Sequence, residues 1–156
     1  MESLHLNKLI LLLAAFVLII PSIHATNVKY CKKISYPVKV SGVEISPNPI
    51  TRGKPATFNI SASTDDNLTG GKVEIDVKYF GWHVHSENHD LCEETPCPVA
   101  PGDFVLSHSQ VLPGITPPGS YTLTMKILGG NGGELTCINF DFSIGWYAED
   151  EAVADS

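Results

Sequence analysis

Charge is scarce in this chain: Asp, Glu, Lys and Arg make up 17% of its 156 residues, against 43% hydrophobic ones. A disordered chain has the reverse balance, rich in charge and poor in apolar side chains. Basic clustering is missing as well, since no basic run exceeds Lys32-Lys33 and the formal net charge is −7. That argues against nucleic acid as a partner. No window sustains a 3.6-residue apolar period, and eleven prolines and thirteen glycines are spread along the chain, against a helical bundle. Signatures of covalent catalysis are lacking too. There is no Gly-x-Ser-x-Gly elbow, and the carboxylate pairs Asp65-Asp66 and Glu93-Glu94 read as solvated loop residues. The expectation is a non-enzyme that needs no cofactor.

Long hydrophobic runs are also few. The run Leu9 to Ile20 has 12 residues, follows Lys8 and stops at Pro21, short of the roughly 20 that cross a bilayer as a helix. Ile23-His24-Ala25 then offers a small residue at a cleavage position. Residues 1–25 are therefore expected to be a secretory signal, followed by one domain over 26–147 and an acidic flexible tail over 148–156. All four cysteines, Cys31, Cys92, Cys97 and Cys137, lie after the signal. An even count in a secreted chain implies two disulfides, with three connectivities open. The short Glu-Glu-Thr-Pro loop between Cys92 and Cys97 favours a local bridge, which leaves Cys31 to pair with Cys137.

What is present is strict alternation. In Lys72 to Tyr79 every odd position is apolar and every even one charged, the pattern of a strand with one wet face. Ala56 to Ala62 repeats it with Phe58 and Ile60 inward, Tyr121 to Ile127 does so again, and Ile138, Phe140, Phe142 and Ile144 form a further inward row. Weaker strands are expected around 28–34, 38–46 and 104–112. With turn signals between them, about seven short strands describe an all-β, immunoglobulin-like antiparallel β-sandwich of two sheets. Asn59-Ile60-Ser61 and Asn67-Leu68-Thr69 are glycosylation sequons, the first on the polar face of its strand and the second in a loop.

Two groups of residues could carry function. His83 and His85 in Gly81-Trp82-His83-Val84-His85, with His89 close behind, would face the same side of a strand and could grip a metal. A metal-binding enzyme on His83, His85 and His89 is thus a rival reading, but beyond this cluster the sequence after residue 25 offers only His108. The expectation is no metal site. The second group is apolar: Phe58, Tyr79, Phe80, Phe104, Tyr121, Met125, Phe140, Phe142 and Trp146 supply more large inward side chains than a minimal core needs. Sheets about 10 Å apart would be filled by them, whereas sheets that splay at one end would turn them into the lining of an inter-sheet apolar pocket.

From Tyr30 to Ile144 the chain resembles the ML lipid-recognition family, which includes secreted Niemann-Pick type C sterol carriers and phosphatidylglycerol/phosphatidylinositol transfer proteins. The resemblance rests on Val43-Glu44-Ile45-Ser46-Pro47-Asn48-Pro49, then Gly53-Lys54 and Thr57-Phe58. It continues through Asp90-Leu91-Cys92, Cys97-Pro98, Gly102, Leu112-Pro113 and Pro118-Gly119-Ser120-Tyr121 to Glu134-Leu135-Thr136-Cys137-Ile138. It implies a two-sheet sandwich parting around a sterol or phospholipid, and the pairings Cys31 with Cys137 and Cys92 with Cys97. Vertebrate sterol carriers of the family have a third disulfide in an early loop; residues 38–56 here contain no cysteine, which favours the phospholipid-transfer branch. By the same resemblance the pocket mouth lies between the loop after Tyr79 and the Ile115 to Pro118 loop. Phe58, Val77, Tyr79, Trp82, Ile115, Tyr121, Leu123 and Phe142 are then the expected lipid-binding residues. The implied protein is a monomer that touches membranes transiently, in the extracellular space or apoplast, or in a vacuolar or lysosomal lumen. A lipid-sensing accessory subunit of a membrane receptor is the alternative the family also offers.

Overall fold

The computed structural model describes residues 26–146. The expected signal over 1–25, the tail over 148–156 and Tyr147 lie outside the described residues. Eight strands follow in order: β1 (Val28–Tyr30), β2 (Val38–Ser46), β3 (Pro55–Thr64), β4 (Gly71–Tyr79), β5 (Trp82–Asp90), β6 (Gly102–Val111), β7 (Gly119–Gly129) and β8 (Glu134–Ile144). They form a five-stranded sheet in the order β1-β8-β7-β4-β5 and a three-stranded sheet in the order β2-β3-β6. Every pairing within these sheets is antiparallel. A single helical turn, α1 (Leu91–Glu94), follows β5 and is capped by the Asp90 carboxylate, which accepts from the Cys92 N–H.

The alternating rows set the inner faces. Ala56, Phe58, Ile60 and Ala62 of β3 are buried, as are Val73 and Ile75 of β4, Tyr121, Leu123, Met125 and Ile127 of β7, and Ile138, Phe140, Phe142 and Ile144 of β8. Because side chains alternate across a strand, one buried row per strand fixes the register of each pairing. Two candidates for the inner set are on the surface instead: Phe80 is 81% exposed and Trp146 75%. Cys31 is bonded to Cys137, joining the end of β1 to β8, and Cys92 to Cys97 across α1.

The segment from Trp82 to Asp90, outside the expected strand set, is a full strand at the edge of the larger sheet. Tyr79 pairs with Trp82, so the β4–β5 turn has only Phe80 and Gly81 at its centre, with φ of 48° and 80°. Two positive φ values mark a type I′ hairpin turn, whose twist matches that of the strands. The register then slips once: Val77 pairs with His85 and Lys78 with His83, leaving Val84 as the extra residue of a bulge. That bulge corrects the expectation that His83 and His85 share a face. His83 turns to the outer face, where its Nε2 lies 2.7 Å from Ser86 Oγ and 3.5 Å from Asp76 Oδ1. His85 turns inward. No ion can be gripped by the pair as the sequence suggested.

Candidate functional site

Between the sheets, at the end where β4 turns into β5, a cavity of about 480 Å³ remains unfilled. That lies within the roughly 300–1,000 Å³ of small-molecule sites. Its back wall comes from the larger sheet: Ile75, Val77 and Tyr79 on β4, Tyr121 and Leu123 on β7, Phe142 and Ile144 on β8. Phe58 on β3 faces them from the smaller sheet. The ring of Phe142 lies against Tyr121 at 5.3 Å and edge-on to Phe58 at 5.6 Å, so one aromatic chain crosses from sheet to sheet at the cavity floor. The mouth is bounded by Val84 at the β5 bulge, Val111 at the end of β6, and the β6–β7 loop with Pro113, Ile115, Thr116 and Pro117.

Of the residues expected from sequence to meet a lipid, Phe58, Val77, Tyr79, Ile115, Tyr121, Leu123 and Phe142 line this cavity. Trp82 does not; it stands 79% exposed at the start of β5. With Phe80 at the hairpin tip and Ile115, which borders the cavity and is 92% exposed in the β6–β7 loop, it makes up an exposed apolar rim. Asn59 accepts a hydrogen bond from Ser107 Oγ at 2.8 Å, and Asn67 is exposed.

The mouth loop is held by Arg52, which the sequence did not single out, and by two of the expected lining residues, Tyr79 and Tyr121. Arg52, in the β2–β3 loop, donates to the carbonyl oxygens of Gly114 at 3.4 Å and Thr116 at 3.5 Å, and to that of Trp146 at 2.8 Å. Tyr79 and Tyr121 donate their hydroxyls to the carbonyls of Pro118 and Pro117. Burial, and secondarily the neighbouring Tyr79, push the Tyr121 phenol above its ordinary pKa of 10. It is therefore a neutral donor at physiological pH.

One side of the cavity is polar. His85 and Glu87 of β5 and His108 and Gln110 of β6 reach its lining where the edge strands of the two sheets meet. No spacing along the chain points to a partner for His108, because Glu87 and Glu94 come to it only through the packing of β5 and α1 against β6.

A family model described as the ML domain matches residues 25–144. The chain is 32% identical over 117 residues to a phosphatidylglycerol/phosphatidylinositol transfer protein of Aspergillus oryzae, covering 70% of this chain and 67% of the relative. It is 34% identical over 103 residues to an MD-2-related lipid-recognition protein of Arabidopsis thaliana, covering 65% and 64% respectively. Among solved structures, a Niemann-Pick type C2 protein from Japanese carpenter ant superposes with a TM-score of 0.62 at 15% identity. The match covers 76% of this chain and 99% of that one, a likeness of fold.

Proposed function

The chain belongs to the ML-domain family, and on that premise we propose that it is a lipid-binding and transfer protein holding one sterol or phospholipid between its sheets. The observation that carries this reading is the apolar cavity, walled by Phe58 from one sheet and by Tyr79, Tyr121, Leu123 and Phe142 from the other. A lipid moved through water must exchange its hydration for such a wall. Covering about 500 Å² of hydrocarbon at about 25 cal/mol/Å² yields about 12 kcal/mol before association terms. Those terms oppose it by about 4–15 kcal/mol. The two are of similar size, so the fit of the wall to the tail sets the net affinity, and a bound lipid stays exchangeable. No proton transfer or nucleophile enters, and the protein acts as a carrier rather than an enzyme.

Membrane contact is made by the rim. Phe80 and Trp82 on the β4–β5 hairpin and Ile115 on the β6–β7 loop stand exposed. Trp82, an aromatic ring with a polar N–H, settles at a bilayer interface, and the other two add apolar surface to it. Insertion of these side chains brings the mouth against the lipid layer, so a tail passes without crossing water. The protein works as a monomer, and the 31–137 and 92–97 bridges suit the oxidising lumen of the secretory pathway or the extracellular space.

The test is native mass spectrometry of the protein from a secreting eukaryotic host, with lipid extraction, followed by transfer of fluorescent phospholipid and sterol between vesicles. One lipid per chain and a transfer rate proportional to protein concentration are expected. A folded protein that carries no lipid and transfers none defeats the reading.

A further inference from the structure

Glu87, His89, His108 and Glu94 close a ring where the two sheets meet beside the cavity. Glu87 and His89 come from β5, His108 from β6 and Glu94 from α1. His108 Nδ1 lies 3.1 Å and His89 Nδ1 3.5 Å from the same oxygen, Glu94 Oε1. On the other side of the rings, His108 Nε2 lies 3.2 Å from Glu87 Oε1 and His89 Nε2 3.4 Å from Glu87 Oε2. Both imidazoles thus point Nδ1 at one carboxylate and Nε2 at the other.

A neutral imidazole carries one N–H. If each donates from Nδ1 to Glu94, two Nε2 lone pairs face the Glu87 carboxylate, and that of His108 also faces Gln110 Oε1 at 3.4 Å, an arrangement that needs positive charge between them. His89 Nε2 is buried and has no hydrogen-bond partner. Among the described residues, the ion-pair partners of Glu87 and Glu94 are histidines, so neither carboxylate is matched by a fixed cation.

We propose that Glu87, His89 Nε2 and His108 Nε2 bind a divalent transition-metal ion of the zinc type, with Glu94 as the outer carboxylate that orients both histidines. The ligating atoms of these three residues lie within 4.8 Å of one another. Donors around a tetrahedral zinc at about 2.0–2.1 Å are about 3.3 Å apart. His108 Nε2 lies 3.2 Å from Glu87 Oε1 and His89 Nε2 3.4 Å from Glu87 Oε2, so either carboxylate oxygen can serve, and the ligand atoms, within 4.8 Å of one another, draw together around the ion. A carboxylate receiving the second ring N–H of a ligating histidine fixes its tautomer and strengthens it as a donor. The ion cancels the charge of both carboxylates. Since Glu87 and His108 also line the cavity, the fourth position faces inward, open to water or to an oxygen of a bound molecule. His85, 3.4 Å from Glu87 Oε2 on the mouth side, stays outside the triad. Bound there, the metal joins the edge strands of the two sheets.

The assignment is independent of the lipid reading and is tested on the metal alone. Tag-free protein from a secreting host is stripped with chelator, then titrated with Zn²⁺ by calorimetry and with Co²⁺ by visible absorption. One ion per chain and the intense absorption of four-coordinate Co²⁺ are expected. Glu87→Gln and His89→Ala should each weaken binding at least about 100-fold, Glu94→Gln by about 10-fold, and His83→Ala on the outer face should leave it unchanged. His89 sits on an edge strand, so its variant keeps the core intact. Absence of stoichiometric binding, with the histidines neutralising the carboxylates by protonation instead, overturns the proposal. So does binding that survives both Glu87→Gln and His89→Ala.

Discussion

The rings of Tyr79 and Tyr121 stack with centroids 4.6 Å apart and planes inclined by 25°. Their hydroxyls end on consecutive carbonyls of the mouth loop, Tyr79 on Pro118 at 3.0 Å and Tyr121 on Pro117 at 2.7 Å. Two neighbouring strands of one sheet thereby latch the loop that borders the cavity. Tyr121→Phe keeps the stack and removes one bond, leaving the Pro117 carbonyl to find water. We expect a loss of about 1 kcal/mol in chemical denaturation and faster release of bound lipid in a vesicle-transfer assay. Arg52→Ala, which frees Gly114 and Thr116 of the same loop, should act in the same direction.

Alkaline pH should weaken the fold through the same group. Burial raises the Tyr121 pKa above 10 in the folded protein, and burial followed by Glu134 does so for Tyr36. An unfolded tyrosine ionises near 10, while the folded one stays protonated. Stability is therefore full below pH 10 and falls as pH rises from there towards the folded values. Thermal melts from pH 8 to 11 should show no loss from this source until about pH 10, with a smaller decline in Tyr121→Phe than in the parent.

Phe80 sits at φ 48° at the tip of the β4–β5 hairpin, a conformation that costs a non-glycine residue about 1–2 kcal/mol. Asparagine tolerates it and favours type I′ turns. Phe80→Asn is expected to raise the melting temperature by a few degrees while lowering association with phospholipid vesicles in a flotation assay. A gain in stability with unchanged vesicle binding would remove Phe80 from the rim.

Val77 is half-buried on the cavity wall, between the buried Ile75 and the lining Tyr79. Val77→Trp should fill space that is otherwise available to a tail. Lipid per chain, read by native mass spectrometry, should fall well below one. Overpacking strain should stay within about 1–3 kcal/mol, so circular dichroism should remain that of the parent.

The two disulfides differ in span, 106 residues for Cys31–Cys137 and 5 for Cys92–Cys97. On chain entropy the long loop contributes about 4.8 kcal/mol and the short one about 2. Replacing Cys31 and Cys137 together by Ser should lower the denaturation midpoint more than replacing Cys92 and Cys97.

Strands with one wet face were legible because alternation is local. Val73, Ile75, Val77 and Tyr79 announce an inner row with no knowledge of what lies opposite, and four cysteines with one short spacing narrow the bridges. β5 was not legible. Its inward positions carry His85, Glu87 and His89, which have no hydrophobic period because they face one another's charges and His108 instead of a core. A single extra residue at Val84 then reversed the face of His83, and no composition count reveals a bulge.

The amino-acid sequence alone set the strand faces, the covalent ties and the family pattern, since each depends on neighbours along the chain or on order and spacing. Whether Phe58 and Phe142 would fill the space between the sheets or border a void was decided only by how far apart the sheets stand. Gathering Glu87, His89, Glu94 and His108 was likewise a matter of two edge strands meeting, because distances across that gap arise from packing rather than from sequence separation.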